Sequence, residues 1–160
     1  MLLKKFVPLF ERDKKSFAFL FDMNELFEKF IGKMIKESYD DVEIPKENKK
    51  FGKLYLRPDI ILNSKKLIID CKYKIKDDDK IASREDRYQM YVYANNYDNI
   101  DKTMLLYPKR FDQGKNLEKE LILGKNNKKV ELLMRSIDLN FDGNNKEFIE
   151  KIKERIGSLM

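Results

Sequence analysis

Two short apolar runs, Ile60-Ile61-Leu62 and Leu67-Ile68-Ile69, flank a polar Asn63-Ser64-Lys65, and this feature most constrains the fold. Each run is short for a helix and rich in the β-branched residues that suit a pleated strand. The spacing predicts a hairpin of strands Leu54–Leu62 and Lys66–Tyr73, turning at 63–65. Asp59 precedes the first run, Asp70 follows the second, and Lys72 stands two residues further on. A hairpin can therefore bring Asp59 close to Asp70. Side chains alternate along a strand, so Ile68, Asp70 and Lys72 share one face, and Leu67, Ile69, Cys71 and Tyr73 the other.

Two carboxylates held together repel unless one is protonated or a cation lies between them. A hard divalent ion with oxygen ligands is the natural solution. Mg²⁺ suits it, with Mn²⁺ as substitute, because Mg²⁺ binds one or two carboxylates and keeps several waters. Asp59, Asp70 and the backbone carbonyl of Cys71 are the candidate ligands. Lys72 could orient an attacking water or stabilise charge on a phosphate oxygen. The set suits metal-assisted hydrolysis of a phosphodiester. The plainer reading is a strand-end salt bridge between Asp70 and Lys72 with Asp59 on the surface, since such short patterns also arise by chance. The Cys71 side chain, facing away from the carboxylates, reads as a small core residue.

Upstream, Met23, Phe27, Phe30, Ile31 and Met34 recur at helical spacing and predict an amphipathic helix over Ser16–Glu37, with Asp22 as a later alternative start. Glu28 borders its apolar stripe and is a candidate third carboxylate, for the metal shell or a second ion. Residues 40–53, with Pro45 and Gly52, read as a loop or irregular edge strand. Downstream come a charged loop at 76–80, a helix over Ser83–Tyr97, and a strand over Thr103–Tyr107 ended by Pro108. A loop through Gly114, strands Leu117–Leu123 and Lys129–Leu139, and a helix over Asn145–Leu159 follow. In the second helix Asp86, Gln89 and Tyr93 stack on one face. Gln89 could contact a phosphate or the attacking water, with Tyr93 beside it and Asp86 in support. An ordinary polar stripe is the alternative. The order of elements predicts an α/β domain with a mixed central sheet flanked by helices.

The chain has 34 Lys and Arg against 28 Asp and Glu, for a net charge of +6, which favours a polyanionic partner. Lys46, Lys49, Lys50, Lys53, Arg57, Lys74, Arg84, Arg87, Lys109 and Arg110 are candidate phosphate grips. The sequence contains no histidine and one cysteine, so imidazole–zinc chemistry, intrachain disulfides and thiolate clusters are excluded. No phosphate-binding loop of the G-x-x-x-x-G-K-[ST] type is present. The run Asp77-Asp78-Asp79 lacks the spaced ligands and turn glycine of a calcium loop. No signal peptide or membrane span is expected, and the localisation expected is cytoplasmic.

Several segments together resemble the McrC family. They are Phe21-Asp-Met-Asn-Glu-Leu-Phe-Glu28, Arg57-Pro-Asp-Ile-Ile-Leu62, Ile69-Asp-Cys-Lys-Tyr-Lys74, Asp86-Arg-Tyr-Gln-Met-Tyr-Val-Tyr-Ala94 and Leu105-Leu-Tyr-Pro108. The resemblance implies a restriction-endonuclease-like PD-(D/E)xK core and the DNA-cutting subunit of a 5-methylcytosine-specific restriction system. It also implies an McrB-like AAA+ GTPase partner. Residues 1–160 are then expected to form a single nuclease domain lacking the N-terminal region usual in the family. Cutting both strands with one site per chain needs a homodimer or two successive nicks. Two alternatives stay open: a RecB-like DNA-repair exonuclease, which Gln89 and Tyr93 also resemble, and a non-catalytic DNA-binding or assembly module with a nuclease fold.

Overall fold

The computed structural model of the chain describes residues 3–11, 14–74, 82–109, 118–124, 126 and 128–160. The acidic run 77–79, Arg110, the loop through Gly114 and Leu117 lie outside the described residues.

The chain opens with an antiparallel hairpin, β1 (Leu3–Glu11) and β2 (Lys14–Phe21), where the helical pattern predicted a helix from Ser16. Phe17, Phe19 and Phe21 alternate with Ala18 and Leu20, which is a strand's period, and β2 follows it. Helix α1 (Met23–Ser38) begins only after Asp22, whose carboxylate accepts from the backbone N–H of Asn24 and Glu25. That cap satisfies donors the first turn leaves orphaned, and Asp22 is the later start that the sequence allowed.

The predicted strand Leu54–Leu62 is split in two. β4 (Lys49–Phe51) pairs with β5 (Leu54–Leu56) as a separate hairpin, turning at Gly52, whose φ of +60° suits a residue without Cβ. Pro58 lacks a backbone N–H and separates β5 from β6 (Ile60–Leu62). β6 then pairs antiparallel with β7 (Leu67–Cys71), Ile60 opposite Ile69 and Leu62 opposite Leu67. This is the predicted hairpin, closed at the turn by Lys66 N–H donating to the Asn63 carbonyl at 3.0 Å.

The main sheet has the order β3-β6-β7-β8-β10-β9, with β3 (Val42–Glu43) at one edge. β8 (Lys102–Pro108) pairs parallel with β7 and with β10 (Lys129–Ile137), while β9 (Glu118–Leu123) runs antiparallel to β10. The sheet is therefore mixed, as expected. Helix α2 (Arg84–Asn96) connects β7 to β8, and α3 (Asn145–Leu159) closes the chain.

Both faces of the central strands are covered, so all five residues of β7 are buried. On one face Phe27, Ile31 and Ile35 of α1 and Ile152 and Ile156 of α3 pack on Ile60, Leu62, Leu67, Ile69, Cys71, Met104 and Leu106. On the other, Met90, Tyr93 and Ala94 of α2 pack on Ile61, Ile68, Leu105, Tyr107 and Leu132. The alternation of β7 thus sends Ile68 and Asp70 toward α2, and Ile69 and Cys71 toward α1. Among the described residues no helix is long and apolar enough to cross a membrane.

Candidate active site

Asp70 sits at the end of β7 with only 1% of its surface exposed, so a full charge there requires partners. Its Oδ1 accepts from Gln89 Nε2 at 3.0 Å. Gln89 uses its other N–H toward the Tyr93 hydroxyl at 2.8 Å. The Tyr93 hydroxyl faces two acceptors, the Arg57 carbonyl at 3.0 Å and Asp70 Oδ1 at 3.5 Å. Tyr93 thereby ties the segment before Pro58 to the end of β7. The Lys72 ammonium lies 2.5 Å from Asp70 Oδ2, yet that oxygen has no hydrogen bond of acceptable geometry.

Asp59 lies one step beyond the last β6–β7 pair, and its Oδ2 accepts from the Cys71 N–H at 2.7 Å. The bond holds the Asp59 carboxylate at the end of β7. Burial, reinforced by the nearby Asp70, pushes the Asp59 carboxyl up to about 7. Burial also raises Asp70, outweighing the opposing pull of Lys72. For Lys72, burial works against the charge, but Asp70 and then Asp59 outweigh it and hold the amine above its ordinary value. One buried acid, one half-buried acid and one ammonium are a set short of positive charge.

Glu28 projects from α1 into the cleft that Asp59 also lines, a cavity of about 470 Å³ bordered by Gly32, Lys33 and Ile44. Its carboxyl is raised by burial, and the Arg57 guanidinium 3.9 Å away opposes this. Among the described residues no three acidic, cysteine or histidine side chains form a metal-holding cluster. Glu28 therefore shares the cleft without joining Asp59 and Asp70 as a ready third ligand. Two carboxylates with a neighbouring backbone carbonyl still match what Mg²⁺ takes from a protein. The acids, both raised by burial, fit that group. The Cys71 side chain is buried in the core on the α1 side, where burial pushes its thiol up.

Asp86 belongs to a second polar knot on the same side of the sheet. It accepts from Lys74 Nζ at 2.5 Å, Tyr107 hydroxyl at 3.0 Å and Ser83 N–H at 3.3 Å, while its own N–H donates to Ser83 Oγ at 3.2 Å. The last two contacts form a capping box that starts α2. Burial would raise the Asp86 carboxyl, but these donors outweigh it and hold it low. Asp86 thus stays anionic and anchors α2, which presents Gln89 and Tyr93 to Asp70. Sequence reasoning missed Tyr107 and the clamp from Lys74. Asn24 was missed too: its Oδ1 accepts from the Tyr73 N–H at 2.9 Å, pinning α1 to the chain just past Lys72. The side chain of Asn24 at the second position of α1 is the only local signal for this contact.

Several candidate phosphate grips are already engaged. Lys74 holds Asp86, Arg87 reaches Glu120 at 3.0 Å, and Arg84 lies over the Tyr88 ring.

A family model described as the McrBC 5-methylcytosine restriction system component matches residues 1–108. The chain belongs to this McrBC family. The matched stretch holds every candidate residue of the site, from Glu28 to Tyr93. The McrC likeness read from the motifs is borne out. The fold is also similar to a solved structure of the Thermococcus gammatolerans McrB AAA+ hexamers with bound McrC, a refined half-complex from a tetradecameric assembly. The TM-score is 0.59 at 18% identity, over 89% of this chain and 34% of that one. This McrBC-family chain thus spans about a third of the chain it resembles, and at that identity the likeness speaks for the fold. No curated protein matches the chain.

Proposed function

We propose that this chain is a Mg²⁺-dependent deoxyribonuclease domain of the PD-(D/E)xK type, serving as the DNA-cutting part of a modification-dependent restriction system. One observation carries the reading. A buried carboxylate, Asp70, is held by Gln89 on one oxygen and paired with the Lys72 ammonium at 2.5 Å on the other, beside Asp59.

Asp59, Asp70 and the Cys71 carbonyl would hold the ion, with Glu28 as a further oxygen donor in the same cleft. When bound, Mg²⁺ supplies positive charge to a phosphate oxygen and acidity to a coordinated water. The chain's own groups do the rest. Gln89 and Tyr93 fix Asp70 Oδ1, so the carboxylate cannot swing away from the site. Lys72, held protonated by the two acids, offers its charge to a phosphate oxygen or a hydrogen bond to the attacking water. Asp86 and Lys74 keep α2 in place behind them.

The solved relative is a complex of McrB with McrC, so an McrB-like AAA+ GTPase is the proposed partner here. DNA is the proposed substrate, and cutting both strands would take two copies of the chain or two nicks. A repair exonuclease is a second reading, favoured by the observed Gln89–Tyr93 bond beside Asp70.

The test uses methylated circular plasmid and linear DNA, with Mg²⁺ or chelator, and with or without an McrB-like GTPase and GTP. Endonuclease action cuts the circle only with Mg²⁺ or Mn²⁺. Asp70→Asn or Lys72→Ala reduces cutting at least about 100-fold with the fold retained. Degradation of linear DNA alone supports the exonuclease. Binding without cutting under every condition supports a non-catalytic module.

A further inference from the structure

The β4–β5 hairpin is excluded from the main sheet, yet it leads directly into Pro58 and Asp59. Between residues 45 and 57 it carries Lys46, Lys49, Lys50, Lys53 and Arg57 against a single acid, Glu47. Its register separates two faces. Lys49 pairs with Leu56 and lies over the Phe51 and Tyr97 rings, 5.1 and 4.9 Å from their centroids, so that face is docked on α2. Lys50 pairs with Tyr55, and both belong to the opposite face. There Tyr55 is 64% exposed, a large aromatic surface left in water. Arg57 continues the same alternation and reaches the catalytic cleft 3.9 Å from Glu28. Lys53 stands at the turn. Among the described residues neither Lys50 nor Lys53 has an ion-pair partner, unlike Lys74 and Arg87. The hairpin is tied to the body of the domain at two points. Tyr93 bonds the Arg57 carbonyl at its base, and Lys49 of its inner face lies over Tyr97, the C-cap residue of α2.

We propose that the outer face of this hairpin, Lys50, Lys53 and Tyr55 leading to Arg57, is the surface that grips duplex DNA and feeds its backbone to the cleft. The proposal rests on the nuclease reading above. Two unpaired ammonium groups around an exposed ring match a sugar–phosphate backbone: the lysines neutralise phosphates, and Tyr55 lays its ring on a sugar or donates its hydroxyl to a phosphate oxygen, without regard to sequence. The base of the hairpin is bonded to Tyr93, whose hydroxyl also faces the Asp70 carboxylate, so the grip is tied to the site.

The test measures binding of a fluorescent 30-base-pair duplex to the full chain by anisotropy. Ca²⁺ replaces Mg²⁺ to prevent cutting, and salt is varied. The Lys50→Ala/Lys53→Ala double variant should lower the slope of log affinity against log salt by about 2, whereas Lys146→Ala on α3 should leave it unchanged. Tyr55→Ala should weaken binding about tenfold with the slope retained, the loss of one neutral backbone contact. Circular dichroism confirms the fold of each. If both hairpin variants bind as the parent does while the parent still cuts DNA, the hairpin proposal is overturned and the nuclease reading stands. If the parent binds no duplex at any salt, the hairpin proposal falls, and the cleavage assay with the McrB-like partner decides the nuclease reading by itself.

Discussion

The half-buried Asp59 makes a definite demand on the stability of the metal-free protein. An acid whose folded-state pKa lies above its unfolded value holds its proton more tightly when folded. Its contribution is complete below the ordinary carboxylate value of about 3.8 and is lost as pH rises through about 7. At about 1.4 kcal/mol per pH unit, the whole effect is about 4 kcal/mol. Between pH 5 and 8 it is about 2–3 kcal/mol, and Asp70, raised in the same direction, adds to the trend. Asp59→Asn keeps an oxygen able to accept from the Cys71 N–H but carries no charge. Urea unfolding at half-unit steps from pH 5 to 8, in chelator, should show the parent losing stability and Asp59→Asn losing clearly less. Adding Mg²⁺ at pH 8 should restore the parent, by about 2.7 kcal/mol at a hundredfold excess over Kd, and leave the variant nearly unmoved. A flat parent profile, or equal slopes in parent and variant, would refute the reasoning that a desolvated acid pair marks this cleft.

Other outcomes follow from the same structure. Asp86→Ala removes the α2 capping box, leaves Lys74 unpaired and takes the acceptor from the Tyr107 hydroxyl, so denaturant unfolding should report a loss of about 3–5 kcal/mol. Gly124→Ala would place a Cβ 2.7 Å from Val130 Cγ2 and 3.1 Å from the Ala94 carbonyl oxygen, so β9 must shift from α2 at a cost of about 1–3 kcal/mol in the same assay. Tyr93→Phe should keep the fold and lower cleavage, with Mg²⁺ titrations displaced to higher concentration, because Gln89 and the Arg57 carbonyl lose a partner.

Much of the architecture was legible where the information is local. The β6–β7 hairpin, α2, β8 and α3 each carry their own period and punctuation, and Ser83 and Asn144 mark helix starts by side-chain chemistry. The strand alternation that separates Asp70 from Cys71 followed from the same local rule. Local reading failed where two periods overlap. The helical spacing of Met23 to Met34 was carried back over Phe17, Phe19 and Phe21, whose alternation belongs to β2. It also passed through Pro58, where one expected strand is two elements. Contacts that join distant segments had no local signature: Asp86 with Tyr107, Asn24 with the Tyr73 N–H, and Tyr93 with the Arg57 carbonyl depend on how the sheet is ordered. For the same reason Glu28 could be placed on the correct side of α1 but not at a distance from Asp59.

The account stands on a divalent ion seated between two strand-end acids, and a crystal of the protein soaked in Mn²⁺ tests it by anomalous scattering. The expected result is a peak within about 2.3 Å of a carboxylate oxygen from both Asp59 and Asp70, lost in Asp70→Asn. No peak there at saturating Mn²⁺, or an ion held elsewhere with these acids still bonded to Cys71 and Gln89 alone, would contradict it.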